Sequence, residues 1–264
     1  MHFHVVDAYQ DTGSPLHCMD SRAKFVMTVL VILLIGLTPV GAFGAYVGFF
    51  TLMMLGAVLA RVDPLLVIKR SAVALPFTAA AIALIFTVPG RVLGTVPLLG
   101  WSISEEGIIR FTSIVFKSTI SVQAAVILML TTHFTDMLWA MSALRVPRIL
   151  VAIISFMYRY AFLLADEALR LTRARDSRSA VMDGHSKAGH MLIFRIRTTG
   201  RMIGNLFLRS YERSERVYQA MAARGYQGEL KQLEPPALKL RDVLFAAVPI
   251  LWGIALTTAS VLLR

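Results

Sequence analysis

Two short triplets carry the side chains best suited to recognition: Ala174-Arg175-Asp176 and Ala223-Arg224-Gly225. In each, an arginine is expected in the last turn of a long helix, where the helix dipole favours a cation. A residue suited to leaving the helix follows, and Gly225 is the better stop. A guanidinium offers a rigid planar fork of donors that matches a carboxylate or a phosphate. One such ending is explained by the dipole alone. Two, 49 residues apart at the ends of the only two long basic helices, form a pattern. Two forks projecting from one platform suit two grooves on a two-fold partner.

Other residues raise other chemistry. Lys117 falls inside an expected membrane span, with Ser113 and Ser121 one turn away on either side. A charge within the membrane is costly and often functional, so a permease that binds substrate through this lysine and its serines is one reading. Lys117 also lies only about 10 Å from the end of its span and can snorkel to the surface, which is a purely structural role. His2, His4, His17 and Cys18 suggest a metal site. Such a site needs three or four convergent ligands on an ordered frame, and this segment reads as a flexible tail. His133, His185 and His190 read as interfacial or solvated. Asp166-Glu167 is the nearest approach to the acidic pair that an integral membrane transferase, the enzymatic alternative, requires. The chain has no Gly-Lys-Ser or Gly-Lys-Thr, no G-x-S-x-G and no H-E-x-x-H. No catalytic residue, metal ligand set or cofactor is therefore expected, and any ATP is expected on another chain.

The elements that must position these residues follow from composition. The 264 residues are 56% hydrophobic and 16% charged, against about 45–50% and about 25% in soluble domains. Both departures point to a membrane protein. In a soluble chain the net charge of +11 would suggest nucleic acid. Here it reads as cytoplasmic anchoring and partner contact, with no nucleic acid. Cys18, the one cysteine, excludes an internal disulfide framework. A crossing needs roughly 20 apolar residues, and five runs are read as spans: 25–40, 41–60, 71–88, 111–130 and 243–263. Pro39-Val40-Gly41 makes a short turn between the first two. Asp63-Pro64 reads as an N-cap with proline at the first helical position. Pro89, Gly90, Gly94, Pro97 and Gly100 mark a longer loop. Gly44 and Gly48, extended by Gly41, let another helix approach closely, either within the chain or on a partner.

Charge sets the orientation. Arg22 and Lys24 precede the first span, and Arg61, Lys69 and Arg70 lie between the second and third. Arg91 and Arg110 are offset by Glu105 and Glu106. Residues 170–241 hold 15 Lys and Arg. Five spans put these clusters on one side, so the N-terminus is expected in the cytoplasm and the C-terminus outside. Residues 149–165 form a further apolar run, but a crossing there would carry the basic segment outside. They read as a membrane-adjacent helix. Two long helices are expected in the basic region, from Pro147 to about Arg178 and from His190 to Arg224. The second has a broken apolar stripe (Ile193, Ile196, Ile203, Leu206, Val217, Met221) and a Glu212–Arg216 pair in the favourable i,i+4 order. The expected protein is all-α and integral to the membrane: four spans in residues 1–131, amphipathic cytoplasmic coupling helices in 132–240, and a fifth span in 241–264.

Asp20-x-Arg22-x-Lys24 before the first span, and above all Ser214-Glu215-Arg216 followed by Ala220-Met221-x-Ala223-Arg224-Gly225-Tyr226, resemble the transmembrane T component of energy-coupling factor transporters. The resemblance is strongest to the CbiQ branch and covers nearly the whole chain. Ala174-Arg175-Asp176 departs from the usual third residue, Gly or Ser. Residues 134–145 resemble the family's first coupling helix. The resemblance implies two ATP-binding cassette ATPase subunits whose grooves take Arg175 and Arg224. It also implies a separate substrate-capture membrane subunit held through the spans, with the Gly41, Gly44 and Gly48 face as a candidate contact. The implied cargo is cobalt(II) for cobalamin synthesis, with nickel or a vitamin such as biotin as alternatives. The implied location is the bacterial cytoplasmic (inner) membrane.

Overall fold

The computed structural model describes residues 9–96, 101–179, 188–228 and 239–262. His2, His4 and His185 lie outside them, as does most of the expected connector after Arg178. The first helices are α1 (Ser21–Leu37), α2 (Phe43–Leu59) and α3 (Pro64–Ser71), followed by α4 (Leu75–Ala79) and α5 (Leu84–Thr87). A two-stranded antiparallel hairpin comes next, β1 (Val92–Val96) with β2 (Trp101–Ser104). The remaining helices are α6 (Glu105–Thr131), α7 (Phe134–Ala143), α8 (Arg148–Ser179), α9 (Ala188–Ala223) and α10 (Leu240–Leu262). The protein is thus helical, and the loop expected between the third and fourth spans contains this hairpin.

Contacts divide the chain into two units: α8 and α9 within Arg145–Leu233, and the remaining helices within His2–Leu144 and Glu234–Arg264. By length and composition, Glu105–Thr131, Arg148–Arg178 and Leu240–Leu262 can each cross a bilayer, and Phe43–Leu59 is a shorter apolar helix. Since α8 qualifies on hydropathy, the interfacial reading of 149–165 rests on charge placement alone.

In the larger unit, α1, α2 and α6 bring together Val31, Ile35, Tyr46, Phe49, Ile120 and Leu130, all buried. Close approach in lipid depends on small residues. A Cβ on Gly48 would stand 2.8 Å from Leu256 Cδ1 of α10, and one on Gly253 of α10 would stand 2.9 Å from Leu34 Cδ1. Asp20 caps α1 by accepting from the Arg22 N–H at 2.8 Å, and Ser104 caps α6 by accepting from Gly107 N–H. Asp63 does precede Pro64 at the start of α3, but its side chain makes no capping bond.

Three expectations are corrected. The run 71–88 is not one regular helix. From Pro64 to Thr87 the chain keeps a right-handed path but alternates α turns with 3-10 turns at Ala72–Ala74 and Ala80–Ala83. Pro76 sits at the start of α4, has no N–H to give, and crowds the preceding turn. Residues 9–20, read as a flexible tail, are docked. Gln10 N–H donates to Leu130 O at 3.1 Å, and Thr12 Oγ1 donates to Ala60 O at 2.7 Å. Both acceptors belong to the last turns of helices, where carbonyls lack intrahelical partners. Finally, Ala174-Arg175-Asp176 does not end its helix, since α8 continues to Ser179. Asp176 has no need of a left-handed backbone, and Ser177 Oγ donates back to Ala174 O at 3.0 Å.

Candidate functional site

The second triplet does end its helix. Arg224 follows the last residue of α9, and Gly225 takes φ +78°, a region that favours glycine. Gly225 N–H donates to Ala222 O and Tyr226 N–H donates to Met221 O, each at 3.0 Å. These are the paired bonds of a Schellman stop, which satisfy carbonyls of the last turn. The Tyr226 ring meets Phe156 of α8 edge-on at 6.4 Å. Arg224 is exposed, and its side chain has no bonding partner among the described residues.

Arg175 is held differently. Its Nε and Nη2 donate to Asp176 Oδ1 at 3.0 and 2.8 Å, and Nη1 donates to Thr199 Oγ1 of α9 at 3.3 Å. Asp176, the unusual third residue, thus fixes the fork that it follows. The helices are also tied by Arg209 Nη1 of α9, which donates to Glu167 Oε1 of α8 at 2.6 Å. Glu167 of the Asp166-Glu167 pair is therefore ion-paired. Glu212 and Arg216, by contrast, form no ion pair with each other.

These contacts set the geometry of the pair. Going up α8 from Phe156 to Glu167 to Arg175, the partners on α9 run down from Tyr226 to Arg209 to Thr199. The two helices are antiparallel, so Arg175 and Arg224 stand at opposite ends. Along α9, Arg224 lies 25 residues beyond Thr199, the partner of Arg175, roughly 38 Å of helix at 1.5 Å per residue. Between these ends lies a groove of about 470 Å³, lined by Phe156, Tyr160, Leu164, Phe207, Val217 and Met221 among others. Such a pair can be pulled at both ends.

The remaining candidates lie in the larger unit, apart from His190, whose side chain is not described. Lys117 Nζ donates to Thr38 O at 2.5 Å and Gly36 O at 3.1 Å, both at the end of α1. Ser113 Oγ, one turn away, accepts from Gly41 N–H at 3.0 Å, where Gly41 has φ +87°. Of the glycine face, Gly48 is filled from within the chain by Leu256, while Gly44 has open space around it and lines a cleft of about 540 Å³. His17 Nδ1 lies 2.7 Å from Ser14 Oγ, and His133 stacks on Tyr9 at 3.6 Å. Among the described residues, no three His, Cys, Asp or Glu gather closely enough to hold a metal ion.

The sequence reading took Lys24 only as an orientation charge and a motif residue, and gave Arg209 and Gly253 no individual role. Lys24 is buried, and its Nζ donates to Thr131 O at 3.0 Å and His17 O at 3.3 Å. A lysine one turn into a membrane helix is a readable signal, because a charge there needs a partner. A lone glycine in an apolar run carries no such signal.

Apolar helices long enough to cross a bilayer, with a second unit of two long basic helices, fit a multi-pass membrane protein. The sequence profile of the CbiQ cobalt transport protein family matches residues 12–235, and the chain belongs to that family. It is 29% identical over 263 residues to the uncharacterised protein MJ1571 of Methanocaldococcus jannaschii, covering 97% of this chain and 85% of that protein. It is 29% identical over 164 residues to the cobalt transport protein CbiQ of Rhodobacter capsulatus, covering 62% of this chain and 61% of the relative. To the energy-coupling factor transporter transmembrane protein EcfT of Staphylococcus aureus it is 26% identical over 258 residues, covering 91% of both. These relatives support a T component of an energy-coupling factor transporter.

Proposed function

We propose that this chain couples ATP hydrolysis on other subunits to the movement of a substrate-capture subunit, and itself catalyses no reaction. Two ATP-binding cassette subunits each seat one arginine end of the α8/α9 pair. When they close, they apply force at Arg175 and at Arg224, and the crossing of the helices changes. The capture subunit, held in the membrane, reorients and releases its cargo. That cargo is cobalt(II), destined for cobalamin synthesis. The chain lies in the cytoplasmic membrane with its N-terminus and basic helices inside.

The observation that carries this reading is the placement of the two arginines at opposite ends of one antiparallel pair, with Arg224 free on a tightly bonded turn. The ties between the helices suit a part that must move. The Arg209–Glu167 pair is solvent-exposed on the arginine side, and such pairs contribute about 0–1 kcal/mol. They hold a resting crossing angle without locking it.

The test is reconstitution of the chain with its ATPases and capture subunit in proteoliposomes, with uptake of radiolabelled cobalt and ATP hydrolysis both measured. Replacing Arg175 and Arg224 together by alanine is expected to abolish uptake while the chain still inserts. Lys117→Met is expected to leave transport intact. Wild-type uptake in the double variant overturns the coupling reading, and loss in Lys117→Met alone favours a permease. Uptake of nickel or biotin in place of cobalt changes the cargo and leaves the coupling role standing.

A further inference from the structure

The apolar stripe expected on α9 does not all face α8. Leu206, Val217 and Met221 are half-buried, whereas Ile193, Ile196 and Ile203 are 63–66% exposed. Their spacing puts these three on one face of the helix, with Gly200 among them. Nothing stands within 4 Å of a Cβ built on Gly200 or Gly204. An uncovered face of this kind needs an occupant.

Charge identifies it. Residues 188–211 contain four arginines and no aspartate or glutamate. Arg209 is paired with Glu167. Arg195, Arg197 and Arg201 are exposed and have no bonding partner among the described residues. At 3.6 residues per turn, Arg197 and Arg201 lie on one flank of the apolar stripe and Arg195 on the other. A well-packed protein interface is depleted of charge at its core, and unpaired guanidiniums beside the stripe would need acids supplied by the partner. A bilayer surface provides both requirements in layers, acyl chains below and phosphates at the level of the guanidiniums.

We propose that this face of α9 docks on an anionic lipid surface, with Ile193, Ile196 and Ile203 in the upper acyl region and Arg195, Arg197 and Arg201 on lipid phosphates. The interaction goes beyond the coupling role and does not depend on the cargo. It gives the α9 lever a surface to slide on or lift from, and makes its resting position sensitive to lipid charge.

The test uses the full-length chain with Cys18→Ser, which removes its one cysteine. Nitroxide labels are placed at Ile203→Cys and Ile196→Cys on the stripe, and at the exposed Asn205→Cys off it. The proteins are placed in nanodiscs of neutral phosphatidylcholine, with or without phosphatidylglycerol. Collision rates with oxygen and with a water-soluble nickel chelate report depth. Both stripe labels are expected to be shielded from the chelate and open to oxygen in anionic discs, while the Asn205 label stays in water. Replacing the three arginines by glutamine is expected to lower the ratio of docked to undocked helix on the order of a hundredfold, since each surface cation contributes about a factor of five. Stripe labels that stay in water in every disc overturn the proposal. So does equal shielding in neutral discs, anionic discs and detergent, which assigns the face to protein, whether a second copy or another subunit.

Discussion

Lys24 and Lys117 cap each other's helices. Lys24, in the first turn of α1, reaches Thr131 O at the end of α6, while Lys117 of α6 reaches Gly36 O and Thr38 O at the end of α1. The exchange requires antiparallel helices, and it places an ammonium on orphan carbonyls at the negative end of each dipole. It also accounts for two costly charges in an apolar unit with one device. The docked segment 9–20 joins the same arrangement, because Lys24 also holds His17 O.

The two caps are unequal, and this yields the first prediction. Lys24 is 3% exposed, while Lys117 is only partly buried. Lys24→Met keeps the length of the side chain but leaves buried carbonyls unpaired, at a cost of about 2–3 kcal/mol. Lys117→Met is expected to cost less, because its carbonyl partners are less buried. Thermal unfolding of the detergent-solubilised chain, followed by tryptophan fluorescence, ranks the two. A larger drop in Tm for Lys117→Met would remove the argument from burial.

Gly48 and Leu256 give a second prediction. A side chain on Gly48 must displace Leu256, and overpacking of this kind costs typically about 1–3 kcal/mol. Gly48→Val is expected to lower Tm, and Leu256→Ala in the same chain is expected to recover part of the loss. Gly44→Val, with open space around it, is expected to leave Tm within experimental scatter. If Gly44→Val nevertheless weakens retention of the capture subunit on co-purification, Gly44 is the partner-facing member of the set. Additive losses for Gly48→Val and Leu256→Ala would show that the two do not meet.

How much of this was legible in the sequence depends on how far away the cause lies. The turn at Gly41 and the stop at Gly225 were readable because each needs a backbone that favours glycine, and the residue type advertises it. The broken third span had its warning in Pro76, which was outweighed by an unbroken apolar run. The end of α8 near Arg178 was readable, but the place of Ala174-Arg175-Asp176 inside the helix instead of at its exit was not. An aspartate permits an exit without forcing one, and the bond from Ser177 to Ala174 favours continuation. The docking of residues 9–20 was not readable at all. Its acceptors, the backbone carbonyls of Ala60 and Leu130, are present at every residue and identify themselves only when helix ends meet in space. The antiparallel register that separates Arg175 from Arg224 is of the same kind. It is set by long-range partners such as Glu167 and Arg209, and nothing in their spacing pairs them.

The third prediction concerns how firmly Arg224 is presented. Gly225 has no neighbour within 4 Å of a built Cβ, so an alanine there meets no clash. Its cost comes from φ +78° alone, about 1 kcal/mol or somewhat more for a non-glycine residue in the left-handed region. The two bonds that close the turn depend on that conformation. Gly225→Ala is therefore expected to lower Tm little, yet to loosen the turn that fixes Arg224 against Met221 and Ala222. On the proposed coupling role, transport should suffer more than folding: cargo uptake per ATP hydrolysed is expected to fall several-fold in proteoliposomes while the amount of assembled complex is unchanged. Gly225→Asn, which tolerates the left-handed region better than alanine, is expected to retain more uptake than Gly225→Ala. If both variants transport like wild type, the rigidity of the turn is irrelevant, and only the charge of Arg224 can matter.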